Sequence, residues 1–412
     1  MRLLYNFLIC IYLLLIKISS LFNEKSSKWL KGRKKWIEYA VKVNPDNKKL
    51  VWFHCASLGE FEQGRPVIEK FKQQFPEWKI LISFFSPSGY EIRKNYEIAD
   101  YIMYLPIDTP SNAKRFVEII KPSLAFFVKY EFWFNYINQL NKNKIPVIYF
   151  SSIFRPSQYF FKCYGRWYRK QLKKIDWFFV QNRQSIELLN SIGINNCSIS
   201  GDTRFDRVMQ AVNTVKDFKE LEKFSKNRLI LLSGSTWPED ENLLAKVFDN
   251  LPENVAMIIA PHNVDDEHIK NIMKRFNNNI IKLSDFNNIK NYQDYKILLI
   301  DGMGFLLHLY RYAYVAYIGG GFGKSIHNIL EAAAFGKPVI FGPNYHKFKE
   351  ACDLIDLKGA FCVHNTDELQ NILTNFFVDK YFYDKTSKIC SEYVKNNCGA
   401  TEIILKKSLS LL

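Results

Sequence analysis

Residues 3–22 (LLYNFLICIYLLLIKISSLF) are apolar almost without a break and carry one charge, Lys17. A run of that length suits a helix that crosses or lies in a membrane. No small-x-small cleavage site follows it, which argues against a secretory signal. Beyond it the pattern changes. Short runs rich in β-branched and aromatic residues, at 50–54, 79–85, 124–128, 146–151 and 177–180, read as buried strands. Between them, 62–74, 111–120 and 133–143 have helical periodicity. The second half repeats the alternation, with strands expected at 229–233, 255–260, 297–300, 315–318 and 338–341. Buried strands alternating with helices predict βαβ units and parallel sheets. The expected fold is therefore α/β, with two Rossmann-like domains facing a cleft behind an N-terminal anchor helix. The expected boundaries are an anchor at 1–24, a first domain at 25–206, a polar helical linker at 207–225 and a second domain at 226–412. The last helix of the second domain is free to return to the first. A length of 412 residues fits two such cores.

Charge sharpens this division. Residues 1–200 carry 31 Lys and Arg against 15 Asp and Glu, whereas residues 201–412 carry 26 of each. The excess gathers at 25–49 and 155–174. A basic half beside a neutral one suggests that one domain faces a polyanion, either nucleic acid or an anionic membrane or phosphorylated lipid. A solubilising surface is the plainer alternative. Lys25, Lys28, Lys31, Arg33, Lys34 and Lys35 directly follow the apolar run, which places that side at the cytoplasmic leaflet. Eight scattered cysteines with no C-x-x-C pair point to a reducing compartment, and to neither a zinc site nor a disulfide framework.

In open α/β sheets ligands gather at the carboxyl ends of strands. Glu60, in Ser57-Leu58-Gly59-Glu60, follows the first strand and can serve as a general base or merely stabilise a helix start. Glu131 follows another buried strand among aromatics, where a carboxylate is costly unless paired or used. Arg204, in Gly201-Asp202-Thr203-Arg204-Phe205-Asp206, offers a fork for phosphate or carboxylate, or an ion pair with Asp202 or Asp206. In the second half, Ser235 and Thr236 precede Pro238 and three acids. That pattern marks a helix N-terminus whose free N–H groups suit an anion. Gly319-Gly320-Gly321-Phe322-Gly323-Lys324 leads to Asn328 and Glu331. It matches neither the dinucleotide fingerprint nor a P-loop, and fits a sugar-nucleotide site. His262 and His268 lie six apart, a spacing that suits no common zinc pair, so no metal and no cofactor are expected.

Together these motifs resemble the 3-deoxy-D-manno-octulosonic acid (Kdo) transferases that act on the lipid A precursor. Ser57–Glu60 is similar to the family's S-V-G-E, and residues 130–135 (YEFWFN) to T-E-L-W-P-N. Residues 201–206 (GDTRFD) resemble G-N-x-K-F-D, Met303-Gly304 resembles the start of M-G-E, and residues 327–331 (HNILE) resemble H-N-P-L-E. The resemblance implies a GT-B fold at the inner membrane, with its catalytic domains on the cytoplasmic face. It implies CMP-Kdo as donor and the lipid A precursor as acceptor, with an anionic membrane surface as partner and no nucleic acid. It makes Glu60 the base, gives Glu131 and Arg204 a role in transition-state stabilisation, and places CMP against Pro261, His262, Met303, Gly304, Phe305, Asn328, Ile329, Leu330 and Glu331. The chain departs from the family pattern at Arg204 (lysine), Phe305 (glutamate) and His262 (arginine). Another GT-B enzyme using a UDP-sugar is the nearest alternative. A membrane-tethered polyanion binder and a nucleotide-sugar epimerase are more distant ones.

Overall fold

The structure, a computed structural model, describes residues 1–276, 279–289 and 291–411. The chain divides into two compact units, Met1–Arg207 with Cys398–Leu412, and Val208–Asn397. Each is built on a seven-stranded, wholly parallel sheet.

In the first unit the strands are β1 (Leu50–Cys55), β2 (Lys79–Phe84), β3 (Tyr101–Tyr104), β4 (Leu124–Val128), β5 (Val147–Ser152), β6 (Trp177–Val180) and β7 (Cys197–Ile199), in the order β3-β2-β1-β4-β5-β6-β7. Helices cover both faces, so the central strands need apolar side chains on both sides and read as unbroken apolar runs. Along β1, Leu50 and Trp52 enter one core while Val51, Phe53 and Cys55 enter the other. Each fully buried Leu, Val or Phe contributes about 1.5–3 kcal/mol. The second core also takes Ile404 and Leu405 from the helix Ala400–Leu409. Asp206 fastens that helix start by accepting from the amides of Gly399 (2.6 Å) and Thr401 (2.7 Å) and from the Thr401 hydroxyl (2.6 Å).

In the second unit β8 (Leu229–Thr236), β9 (Val255–Pro261), β10 (Ile280–Lys282), β11 (Ile297–Leu299), β12 (Val315–Ile318), β13 (Val339–Phe341) and β14 (Ala360–Cys362) lie in the order β10-β11-β9-β8-β12-β13-β14.

The ten strands read from the apolar runs are all present, with ends shifted by up to three residues. Four more, β3, β7, β10 and β14, were missed. They are the edge strands of the two sheets, three or four residues long and partly exposed, so no fully buried apolar run marks them. The stretch expected to be one helical linker is two helices, Thr203–Val212 and Lys219–Ser225. The apolar N-terminal run is the helix Arg2–Ser19, long and apolar enough to serve as a membrane anchor.

Candidate functional site

The strand order of the first unit reverses between β1 and β4, and the loops leaving these two strands carry Glu60 and Glu131. Such a switch point is where open α/β sheets leave a crevice. Ser57, in extended conformation, starts the helix Leu58–Gln74. Glu60 thus sits in the first helical turn, at the helix start. The S-x-x-E spacing is that of a capping box, but the Ser57 hydroxyl donates to the Glu60 carboxylate instead of capping the backbone. Gly64 brings this helix close to the sheet, because a Cβ there would stand 3.2 Å from the Cys55 sulfur and 3.3 Å from Val128. Glu60 and Glu131 converge electrostatically on Cys55. Its thiol is pushed well above the ordinary value by burial first, then by the charges of Glu60, Glu131 and Glu62.

Glu131 is held from behind by a relay of buried groups. Its carboxylate lies 3.9 Å from Nε2 of the fully buried His54, beyond hydrogen-bonding reach. The Trp133 indole N–H donates to that Nε2 (3.1 Å), so the ring proton sits on Nδ1 and is shared with Ser83 Oγ at 2.9 Å. Ser83 also accepts from the Trp52 indole (2.7 Å), and the Tyr149 hydroxyl donates to the Glu131 carbonyl (2.7 Å). The side chain of Glu131 stays 23% exposed, so the relay fixes the backbone while leaving the carboxylate reachable. Arg204 donates through Nε to Asp202 at 2.8 Å, the ion pair anticipated as its structural role, with its side chain 37% exposed. Asp202 in turn accepts from Gln63 at 3.2 Å.

In the second unit the order reverses between β8 and β12. The glycines after β12 are demanded by backbone packing. A Cβ on Gly319 would meet the Ser235 carbonyl oxygen at 2.3 Å, one on Gly321 would meet the Gly342 nitrogen at 2.5 Å, and Gly320 has φ +89°. The Gly320 amide does not face outward for an anion. It donates to Asp240 (2.8 Å), which also accepts from the Trp237 amide (2.9 Å) and the Tyr317 hydroxyl (2.8 Å). Thr236 is fully buried and donates to Glu241 at 3.1 Å, so its hydroxyl is turned away from the anion-contact role expected of it. Ser235 sits at φ +54°, at the end of β8 and before the helix Pro238–Phe248.

Beside this turn the Trp237, His262 and His327 rings stack, with centroids 4.7 Å and 4.6 Å apart. The Trp237 indole N–H donates to His327 Nε2 at 3.1 Å. Burial, then the neighbouring His262, holds the His327 imidazole below its ordinary value. Trp237 and His327 line a cavity of ≈ 470 Å³ with Glu239, Gly320, Gly323, Lys324 and Ser325. A stack of flat rings beside an ammonium and a hydroxyl suits a nucleobase or sugar with an anionic group. Of the expected nucleotide contacts, Pro261 ends β9, and Met303 and Gly304 are exposed. Phe305 lies against Phe218, with ring centroids 5.4 Å apart. Asn328 caps the Leu330 amide (3.1 Å) and donates to Glu331 (3.1 Å), in the first turn of the helix Leu330–Ala334. The side chains of Ile329 and Leu330 are buried, which leaves only their backbone for a ligand.

Residues 30–207 match the family model described as 3-deoxy-D-manno-octulosonic-acid transferase (kdotransferase). The 3-deoxy-D-manno-octulosonic acid transferase of Rickettsia bellii is 28% identical over 424 residues, covering 96% of this chain and 98% of that one. Its namesake from Aquifex aeolicus is 28% identical over 334 residues, covering 79% and 86%. The chain belongs to a glycosyltransferase family. Its family-level match is to the Kdo transferases. Among solved structures, the UDP-GlcNAc 2-epimerase of Neisseria meningitidis bound to UDP-GlcNAc superposes with a TM-score of 0.63 at 19% identity, over 88% of this chain and all of that one. That likeness is one of fold, two parallel-sheet α/β units of the GT-B kind.

For this glycosyltransferase the structure adds residues that the motifs did not single out. Trp237 stands between the Ser235-Thr236 pair and Pro238, His327 opens the HNILE motif, and Lys324 ends the glycine run, none with a role of its own in the sequence. A tryptophan directly before a Pro-led helix, one loop from a glycine turn, was the available signal. His54, at the end of a strand run, and Trp133, within YEFWFN, gain their partnership only from the fold. Among the described residues, no group of three or more His, Cys, Asp and Glu side chains is placed to hold a metal ion.

Proposed function

We propose that this GT-B glycosyltransferase moves Kdo from CMP-Kdo to the disaccharide lipid precursor of lipid A, on the cytoplasmic face of the inner membrane, with inversion and without a metal. The observation that carries the reading is the pair Glu60 and Glu131 on the two loops of the first unit's switch point, inside the segment that matches the Kdo transferase model. In this reading Glu60 takes the proton of the acceptor hydroxyl, whose oxygen bonds to the anomeric carbon as that carbon's bond to the CMP phosphate breaks. Proton removal by a placed carboxylate supplies about 10²–10⁴-fold. Glu131 and Arg204 serve the separated charge of the transition state, and the Trp237–His262–His327 stack holds the base or sugar of the donor. A second reading keeps fold and membrane and takes a UDP-sugar donor. The fold likeness to a UDP-GlcNAc-bound protein favours that donor class, while the named sequence relatives favour CMP-Kdo.

Mass spectrometry of the tetraacylated lipid precursor after incubation with CMP-Kdo, and in parallel with UDP-sugars, decides between them. A gain of one or more Kdo units, retained in EDTA and lost in Glu60→Ala, supports the first reading. A gain only from a UDP-sugar establishes the second, and no gain from any donor removes both.

A further inference from the structure

We infer that the helix Arg2–Ser19 lies in the plane of an anionic bilayer surface, clamped along the first unit, and does not cross the membrane. Its inward stripe, Tyr5, Ile9, Leu13 and Ile16, has helical spacing and joins Trp29, Ile107, Phe85 and Trp133 in one apolar cluster. The clamp is also polar. The Tyr5 hydroxyl donates to Asp108 at 2.6 Å, and Asn6 accepts from the Asn135 amide at 2.9 Å. Asp108 is fully buried and simultaneously accepts the Asn135 and Tyr136 amides, each at 3.0 Å. Tyr12 stacks on Phe85 at 6.1 Å, and Phe85 lies 4.6 Å from Trp133, two residues after Glu131.

From Tyr5 to Ile16 the helix is thus flanked by folded protein for roughly 16 Å of its length. A hydrocarbon core is about 30 Å thick, so a spanning helix would drag the Tyr5–Asp108 clamp and its backbone amides into lipid. The outward stripe faces solvent: Leu3, Phe7, Leu14 and Leu15 are 57% to 84% exposed, and Leu21 and Phe22, just past the helix end, are 76% and 88% exposed. One apolar face beside one docked face is the form of an interfacial helix. Charge names the occupant. Lys25, Lys28, Lys31, Lys34 and Lys35 are exposed just beyond the helix. Arg33, alone in that cluster, turns inward, donating to the carbonyls of Trp29 (2.9 Å), Phe85 (2.6 Å) and Leu105 (2.8 Å). Lys28 pairs with Glu24 at 2.8 Å and Lys35 with Glu38 at 3.6 Å, both at the surface, and Lys25, Lys31 and Lys34 face the anionic headgroups. The inference holds for either donor.

Full-length protein is reconstituted in sealed vesicles containing phosphatidylglycerol, with protease confirming the folded units outside. Arg2→Cys and Ser20→Cys are then labelled separately with a membrane-impermeant maleimide and mapped by peptide mass. The in-plane helix predicts labelling of both before detergent. Protection of Arg2→Cys until detergent is added, with Ser20→Cys labelled, overturns it. Flotation of soluble protein onto vesicles is expected to be at least about tenfold stronger with phosphatidylglycerol than with phosphatidylcholine alone, and equal binding removes the anionic occupant. Leu14→Asp with Leu15→Asp alters the exposed stripe and none of the residues of the docked cluster, so it should abolish flotation at an unchanged unfolding midpoint. Undiminished flotation of this pair would contradict the proposal.

Discussion

At the switch point of the first unit the loops leaving β1 and β4 bring acids, Glu60 and Glu131. At that of the second the loops leaving β8 and β12 bring rings, glycines and one lysine: Trp237, Gly319–Gly321, Lys324 and His327. The sheets have similar strand arrangements, so sheet order does not decide which chemistry each end carries. Loop composition does. In the first unit a serine hydroxyl donates directly to Glu60, and the His54–Trp133 pair stands behind Glu131 without bonding its carboxylate. The rings of the second hold each other by stacking, and the glycine turn is pinned by the buried Asp240. In the proposed reaction the first end moves a proton and the second grips a flat ligand.

The largest effect expected from breaking this division is in Glu60→Gln, which keeps shape and removes the base. Transfer should slow by about 10²–10⁴-fold while nucleotide affinity stays within twofold, read by a transfer assay beside calorimetry. Trp237→Ala should weaken nucleotide binding about tenfold or more, because losing an aromatic platform under a base costs about 1–3 kcal/mol. An unchanged Kd would mean that the stack holds no ligand.

Two glycines sharpen the comparison in stability. Gly319→Ala places a methyl against a carbonyl oxygen that belongs to β8 and cannot move aside, and should cost about 1–3 kcal/mol. Gly64→Ala meets only side chains at 3.2 Å or more and gains about 1 kcal/mol of helix propensity, so it should be near neutral. Equal losses in thermal midpoint would refute the packing argument for the Gly319 turn.

The smallest effect is a pH dependence at Asp108, in the first unit. Burial raises the Asp108 carboxyl to about 6 against an ordinary 3.8, although Tyr5 and the Asn135 and Tyr136 amides favour its charged form. A raised folded pKa means that the folded state binds the proton more tightly than the unfolded one. The stabilisation is complete below pH 3.8 and is lost as pH rises through about 6. Denaturation of wild type and Asp108→Asn across this window should show a steeper fall in stability with rising pH in the wild type than in the variant.

How much of this was legible in the sequence follows from what each element needs. Strands buried on both faces must be continuous apolar runs, so β1, β4, β8 and β9 announce themselves, and with them the α/β class. The edge strands β3, β7, β10 and β14 are short and partly exposed, so no fully buried apolar run marks them. Glu60 and Glu131 were visible as acids just after buried strands. The Trp237–His327 contact joins residues 90 apart in sequence, so only the fold reveals it. The same holds for Asp108 and Tyr5, 103 apart, which make the N-terminal helix a docked element. The glycine run carries two readings, a sugar-nucleotide turn and close backbone packing, because both leave the same letter in the sequence.

The most direct test of the division of labour takes Glu60→Gln and Trp237→Ala through the same two assays, donor binding by calorimetry and sugar transfer by mass spectrometry. The account predicts that Glu60→Gln binds donor like the wild type yet transfers at least about 100-fold more slowly, while Trp237→Ala binds about tenfold more weakly. A Glu60→Gln protein that transfers at the wild-type rate would contradict it.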